Sequence, residues 1–283
     1  MHVLGNDYII VNSLLDENDV PPHLIKNVCK RHYGIGADGV IVLLPSDKTD
    51  FKATIYNADG SEAEISGNGI RCLGRYIHDR RIMIKKKFFI ETLAGLKEIT
   101  IKKIEGIANK VSVNMGLPVF ERKKIPLRGQ KGNPLNEEIP IGKKKKIVAS
   151  CLSIGNPHCI IWVDDIKKAP VKKLGPILEK HKLFPNYTNV EFVEVKNKKE
   201  IFVRTWERGV GETESCGTGA CASVVASALK NKTARKMKVF LLGGELEVLW
   251  REKDNNIILT GEVDYVYEGI LSDSWLLSQY EKD

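Results

Sequence analysis

Short runs rich in β-branched and aromatic residues recur along the chain and predict strands at FKATIYN (51–57), FFIETL (88–93), KEITIKKI (97–104) and NKVSVNMG (109–116). The same signal returns in IVASCLSI, CIIWV, NVEFVEV, EIFVRTWE and KVFLLGGELEVLW. Helical spacing shows instead in PHLIKNVCKRH (22–32) and VKKLGPILEKH (171–181). Two further helices are predicted directly after glycine-rich turns. One carries Ile70, Leu73 and Ile77 at helical intervals; the other, ACASVVASALK from Ala220, is apolar nearly all round, as a helix enclosed by a sheet must be. The weakly periodic, Pro/Gly/Lys-rich stretch in VNMGLPVFERKKIPLRGQKGNPLNEE predicts a domain boundary near residue 114.

The two turns are related. EISGNG (64–69) and ESCGTG (214–219) superpose when the chain is displaced on itself by 150 positions (216 − 66 = 150), which aligns Glu62 with Glu212, Glu64 with Glu214, Gly67 with Gly217 and Gly69 with Gly219. Each copy follows a strand and opens a helix, so an internal duplication and two like domains are expected. Glycines let such a turn approach a ligand closely, and the first helical turn offers N–H groups with partial positive charge, which makes an anion site. The amides of Gly67, Asn68, Gly217 and Thr218 are therefore candidates to hold a carboxylate. The copies differ at the reactive position, Ser66 in one and Cys216 in the other. A cysteine at a helix start is expected to have a stabilised thiolate, which makes Cys216 a candidate base or nucleophile near neutral pH.

Composition narrows the reading. The 283 residues suffice for two domains, no apolar run reaches membrane-spanning length, and the N-terminus lacks a secretory signal pattern, so a cytoplasmic protein with no membrane partner is expected. The net charge of +8 invites a nucleic-acid reading. The lysines, however, sit in scattered runs such as Lys85–Lys87 and Lys143–Lys146, with no basic helix or aromatic platform, and read as solvated surface; no nucleic-acid partner is expected. Six cysteines form no CxxC pair. Cys72 and Cys221 lie within the helices and read as core, and Cys159 beside His158 is not expected to pair with it, because strand neighbours face opposite ways.

YNADGSEAEISGNGIRC and WERGVGETESCGTGACA resemble the two active-site motifs of the diaminopimelate epimerases, and MHVLGNDY, RHYGIGADGV (31–40), VNMGLP (113–118), GNPHC (155–159) and LFPNYTNVEFV (183–193) agree with the same family in the same order. The resemblance implies an α/β fold of two pseudo-symmetric domains, each a curved mixed or antiparallel sheet wrapped round a central helix, with substrate in the cleft between them. The expected domains are 1–113 with 266–283, carrying Ser66, and 114–265, carrying Cys216. It also implies an isomerase of lysine and cell-wall precursor biosynthesis that needs no cofactor, no pyridoxal phosphate and no metal, and interconverts LL- and meso-2,6-diaminopimelate. One cysteine removes the α-proton and a second returns it on the opposite face. The assembly, monomer or homodimer, stays open.

By the same resemblance the rest of the substrate falls to Asn6, Asn57, Asn156, Asn189, Glu207 and Arg208. Arg208 can grip the distal carboxylate with a two-pronged pair, and Glu207 and asparagine carbonyls can accept from the distal ammonium. His158 either supports the GNPH turn or touches ligand. Two departures stand out. The chain starts at MHVLGND where members carry a few more residues, which shortens the first strand or makes the start internal. Ser66 replaces the second catalytic cysteine, and a hydroxyl is not usefully ionised near neutral pH without an activating base, so turnover is expected to be impaired. Three alternatives stay open: a Ser/Cys amino-acid racemase, an enzyme like the hydroxyproline dehydratases of related fold, and a non-catalytic amino-acid-binding protein.

Overall fold

A computed structural model describes residues 1–15, 19–104, 107–129, 132–142 and 145–280. The chain divides into two compact units, Met1–Val111 with Glu262–Asp283, and Ser112–Gly261. The sequence-based division lay at 113/114 and 265/266.

The first unit holds β1 (His2–Val3), β2 (Asn6–Asn12), α1 (Pro22–Cys29), β3 (Gly39–Leu44), β4 (Phe51–Asn57), α2 (Gly67–Asp79), β5 (Lys87–Thr92), β6 (Gly95–Ile104) and the start of β7 (Ile107–Gly116). Its strands lie in the order β1-β2-β3-β4-β5-β6; β2/β3 and β4/β5 are parallel, β3/β4 and β5/β6 antiparallel. Helix α2 touches β1, β2, β3 and β6, whereas α1 packs on β3 from the other side. This explains β3: Val40, Val42 and Leu44 join the α1 core with Ile25 and Cys29, Ile41 meets the glycine face of α2, and every residue of the strand is buried. Ile70, Leu73 and Ile77 of α2 are fully buried. Each such side chain contributes roughly 1.5–3 kcal/mol.

The second unit repeats the plan. It contains β8 (Glu137–Pro140), β9 (Lys146–Ser153), β10 (Pro157–Trp162), α3 (Val171–Glu179), β11 (Asn189–Asn197), β12 (Glu200–Glu207), β13 (Gly211–Thr213), α4 (Gly217–Leu229), β14 (Lys236–Leu241), β15 (Gly244–Trp250) and β16 (Ile257–Glu262). The order is β16-β15-β14-β12-β11-β10-β9-β8, with β10/β11 and β12/β14 parallel. Helix α4 is buried from Gly217 to Ser227 and touches β9, β10, β11, β12, β14 and β15, so it is the enclosed helix its all-apolar sequence predicts. The last described helix, α5 (Asp273–Tyr280), belongs to the first unit.

The 150-residue offset runs far beyond the turns. Tyr8 pairs with Gly39 as His158 pairs with Asn189 (8 + 150 and 39 + 150). Tyr56 bridges Glu62 as Trp206 bridges Glu212, and Arg81 and Asn231, just past the ends of α2 and α4, both adopt positive φ.

The predicted KVFLLGGELEVLW strand is two, parted at Leu242 and Gly243. The stretch after residue 116 is no free linker: Ile125 and Leu127 are buried in the second unit's core, and Arg122 pairs with Glu137 at 2.6 Å. Residues 143–144 of the Lys143–Lys146 run lie outside the described residues.

Candidate functional site

In the first unit Ser66 is the N-cap of α2, with extended backbone, and its Oγ accepts from the Gly69 N–H at 3.0 Å. A second donor, the Tyr8 hydroxyl, reaches the same oxygen at 2.8 Å. Asn68 is buried; its Nδ2 donates to Asn6 Oδ1 at 3.0 Å, and its Oδ1 accepts from the guanidinium of Arg71. Arg71 is itself wholly buried and donates through Nε to Gly67 O at 3.1 Å. Asn6 continues the chain of bonds by donating to Asp38 at 2.9 Å, and Arg31 ties Asp38 to Asp7. Asn6 thus orients Asn68 and uses both ends of its amide in doing so. Asn57, by contrast, is exposed, and its amide donates to Ser61 Oγ within its own turn at 3.0 Å.

In the second unit Cys216 caps α4 in the same way, its Sγ accepting from the Gly219 N–H at 3.4 Å and lying 3.5 Å from Thr218 Oγ1. Asn156 donates to Thr218 Oγ1 at 3.3 Å and accepts from His158 Nε2 at 2.8 Å. The other ring nitrogen of His158 contacts Glu191 at 2.8 Å, and both side chains are fully buried. Glu207 accepts from Thr213 Oγ1 at 2.5 Å. Asn189 is buried, donates to Pro157 O at 3.0 Å and accepts from the Arg208 N–H at 2.9 Å. This fixes the main chain where Glu207 gives way to Arg208. Glu179 steadies the following residue by accepting from the Gly209 N–H at 2.9 Å. Gly217, Thr218, Asn156, Asn189, Glu207 and Arg208 are therefore joined into one neighbourhood with Cys216, and Gly67, Asn68 and Asn6 into one with Ser66.

The thiol departs from expectation. Its place at a helix start predicts a stabilised thiolate, yet burial, with the carboxylates of Glu207 and Glu191 next in weight, pushes Cys216 well above its usual value of 9.0. The Thr218 hydroxyl and Gly219 N–H oppose this without reversing it. Burial likewise raises Glu207, against the hydrogen bonds from Thr213 and Cys216. Cys216 is thus a thiol at rest, and by itself a proton donor.

Tyr8, Glu191 and Thr213 are neighbours that sequence reasoning did not name. Glu191 left a trace: a carboxylate flanked by apolar residues in NVEFV marks a charge sent into the interior.

Known proteins place this geometry. The family model described as diaminopimelate epimerase matches residues 1–121 and 150–266. Proteins named diaminopimelate epimerase from Heliobacterium modesticaldum and Methanococcus maripaludis are 48% and 45% identical to this chain, over 96% and 95% of it and 98% and 97% of their own lengths. Among solved structures, a probable proline racemase from Agrobacterium radiobacter aligns with a TM-score of 0.70 at 18% identity, covering 96% of this chain and 92% of its own. A hydroxyproline epimerase from Agrobacterium vitis gives 0.69 at 15%, covering 93% and 87%. These two share the fold. On the family model and the near full-length relatives, this chain belongs to the diaminopimelate epimerase family.

Proposed function

We propose that this chain interconverts LL- and meso-2,6-diaminopimelate by moving one α-proton without a cofactor, with Cys216 as one acid/base and Ser66 in the place of the second, at reduced turnover. The observation that carries the reading is the matched pair of helix-start turns, alike in backbone and capping bond and different in the reacting atom, sulfur against oxygen. Inverting a stereocentre takes one group that removes a proton and another that returns it. First-turn amides at Gly67, Asn68, Gly217 and Thr218 suit the reacting carboxylate and the charge that develops beside it. Arg208 suits the distal carboxylate and Glu207 the distal ammonium, with Asn156 and Asn189 positioning this end and Asn6 acting through Asn68. In this reading Asn57, at the end of β4, adds a polar contact once its amide leaves Ser61. Binding an ammonium beside Glu207 also offsets one of the charges that hold Cys216 protonated, so substrate itself favours the thiolate. We assign the reaction to the cytoplasm, a reducing compartment that suits six unpaired cysteines.

The test compares the native chain with Ser66→Cys on both isomers, following isomer ratio by chiral chromatography and deuterium uptake by mass spectrometry. Ser66→Cys raises epimerisation by at least about 100-fold, the lower end of what a positioned acid or base contributes. Full activity in the native chain, or no gain in a variant that folds and binds, refutes the reading.

A further inference from the structure

We propose that Ser66 is a proton relay and that the phenol of Tyr8 stands behind it as the group that gives and takes the proton. The inference rests on the diaminopimelate reading and deepens it. Ser66 Oγ accepts two hydrogen bonds, from Tyr8 Oη at 2.8 Å and from the Gly69 N–H at 3.0 Å. A hydroxyl oxygen has two lone pairs, so both are engaged and the serine's own O–H remains to be donated. The arrangement is built into the sheet. Tyr8 on β2 lies opposite Gly39 on β3, where a Cβ would meet the Tyr8 ring carbon Cε1 at 2.9 Å, so a bare glycine gives the ring its seat.

The proton count closes without a further reactant. When the substrate carbanion is protonated, the Ser66 O–H bond breaks as the C–H bond forms. The Tyr8 O–H bond then breaks as Oγ regains a proton, leaving a phenolate. In reverse, the phenolate takes the Ser66 proton while Oγ takes the α-proton. A phenol ionises near pH 10, far more readily than an aliphatic hydroxyl, so the relay puts the charge where it is best borne. Tyr8 is thus a positioning residue that acts through Ser66, and a thiol at position 66 needs it less because sulfur carries the charge itself.

Tyr8→Phe keeps the ring and removes only the hydroxyl. In the native chain it is expected to lower kcat for α-hydrogen exchange by at least about 100-fold with KM little changed. In the Ser66→Cys chain the same substitution costs about tenfold or less, since the thiol transfers the proton directly. Activity of that double variant also establishes that Tyr8→Phe folds. Equal losses in the two backgrounds, or a loss confined to KM, would mean that Tyr8 only shapes the pocket and overturns the relay. A working Ser66→Cys chain beside a native chain whose exchange ignores Tyr8→Phe overturns the relay alone. A folded Ser66→Cys chain inert toward both isomers overturns the diaminopimelate reading and the relay with it.

Discussion

At equivalent places in the two units stand Ile41 on β3 and Glu191 on β11 (41 + 150 = 191), and each is the side chain a Cβ on the helix's third residue would strike, at 2.7 Å from Gly69 and from Gly219. The backbones agree and the consequences differ. Glu191 takes one nitrogen of His158, the counterpart of Tyr8, and sets a negative charge near Cys216. Ile41 offers Tyr8 nothing polar, and the Tyr8 hydroxyl is given to Ser66 instead. One duplicated scaffold has thus been tuned into an anionic half that holds its thiol protonated and a half in which a phenol backs a hydroxyl.

The severest way to break this comparison is Cys216→Ser, which puts a hydroxyl in both turns. Exchange of the α-hydrogen in both isomers is expected to fall by about 100- to 10,000-fold by deuterium uptake; a mild loss would shift the chemistry away from this turn. Next comes Arg208→Lys in a Ser66→Cys chain, which retains charge and loses the planar fork. The expected loss in kcat/KM is about 2–3 kcal/mol, as for a charged hydrogen bond, and unchanged kinetics would remove Arg208 from distal-carboxylate binding.

The resting protonation of Cys216 gives a finer handle. Alkylation needs the thiolate, and because the thiol is pushed up, its iodoacetamide labelling should be slow at pH 8 and still climbing past pH 9.0, as peptide mapping can follow. Glu191→Gln removes one repelling charge, so the curve moves to lower pH and labelling at pH 8 rises by about tenfold per unit moved. A curve that already levels near pH 7 would contradict the burial argument. The smallest effect compares Gly69→Ala with Gly219→Ala in thermal unfolding. A methyl end of Ile41 can swing aside, whereas Glu191 is tied to His158, so the second substitution should cost about 1 kcal/mol more.

Much of the frame was legible in the chain. The glycine turns, the repeat and the all-apolar α4 are local signals, and FKATIYN and EIFVRTWE end where the strands end. GVIVLL at β3 went unnamed because a strand covered on both faces loses the alternation that betrays a strand. The place of Cys216 at a helix start was legible, whereas the fold raises its thiol against the stabilised thiolate expected there. The helix start is visible in sequence, while the burial that outweighs it comes from the packed fold, and the carboxylates that add to it arrive from β11 and β12, 25 and 9 residues away along the chain (216 − 191 and 216 − 207). Tyr8 was invisible for the same reason, since its hydroxyl meets a residue 58 positions further on.

The 150-residue offset has a practical meaning for anyone who alters this protein. Tyr8 and His158, Gly39 and Asn189, Ile41 and Glu191, Tyr56 and Trp206, Ser66 and Cys216, and Arg81 and Asn231 are partners found by simple addition, in the same strand register or at the same point of a helix. A substitution at any of them therefore comes with its own internal control: the same change at the paired address, in the same molecule, on the same backbone, differing only in the neighbours that give one half its chemistry.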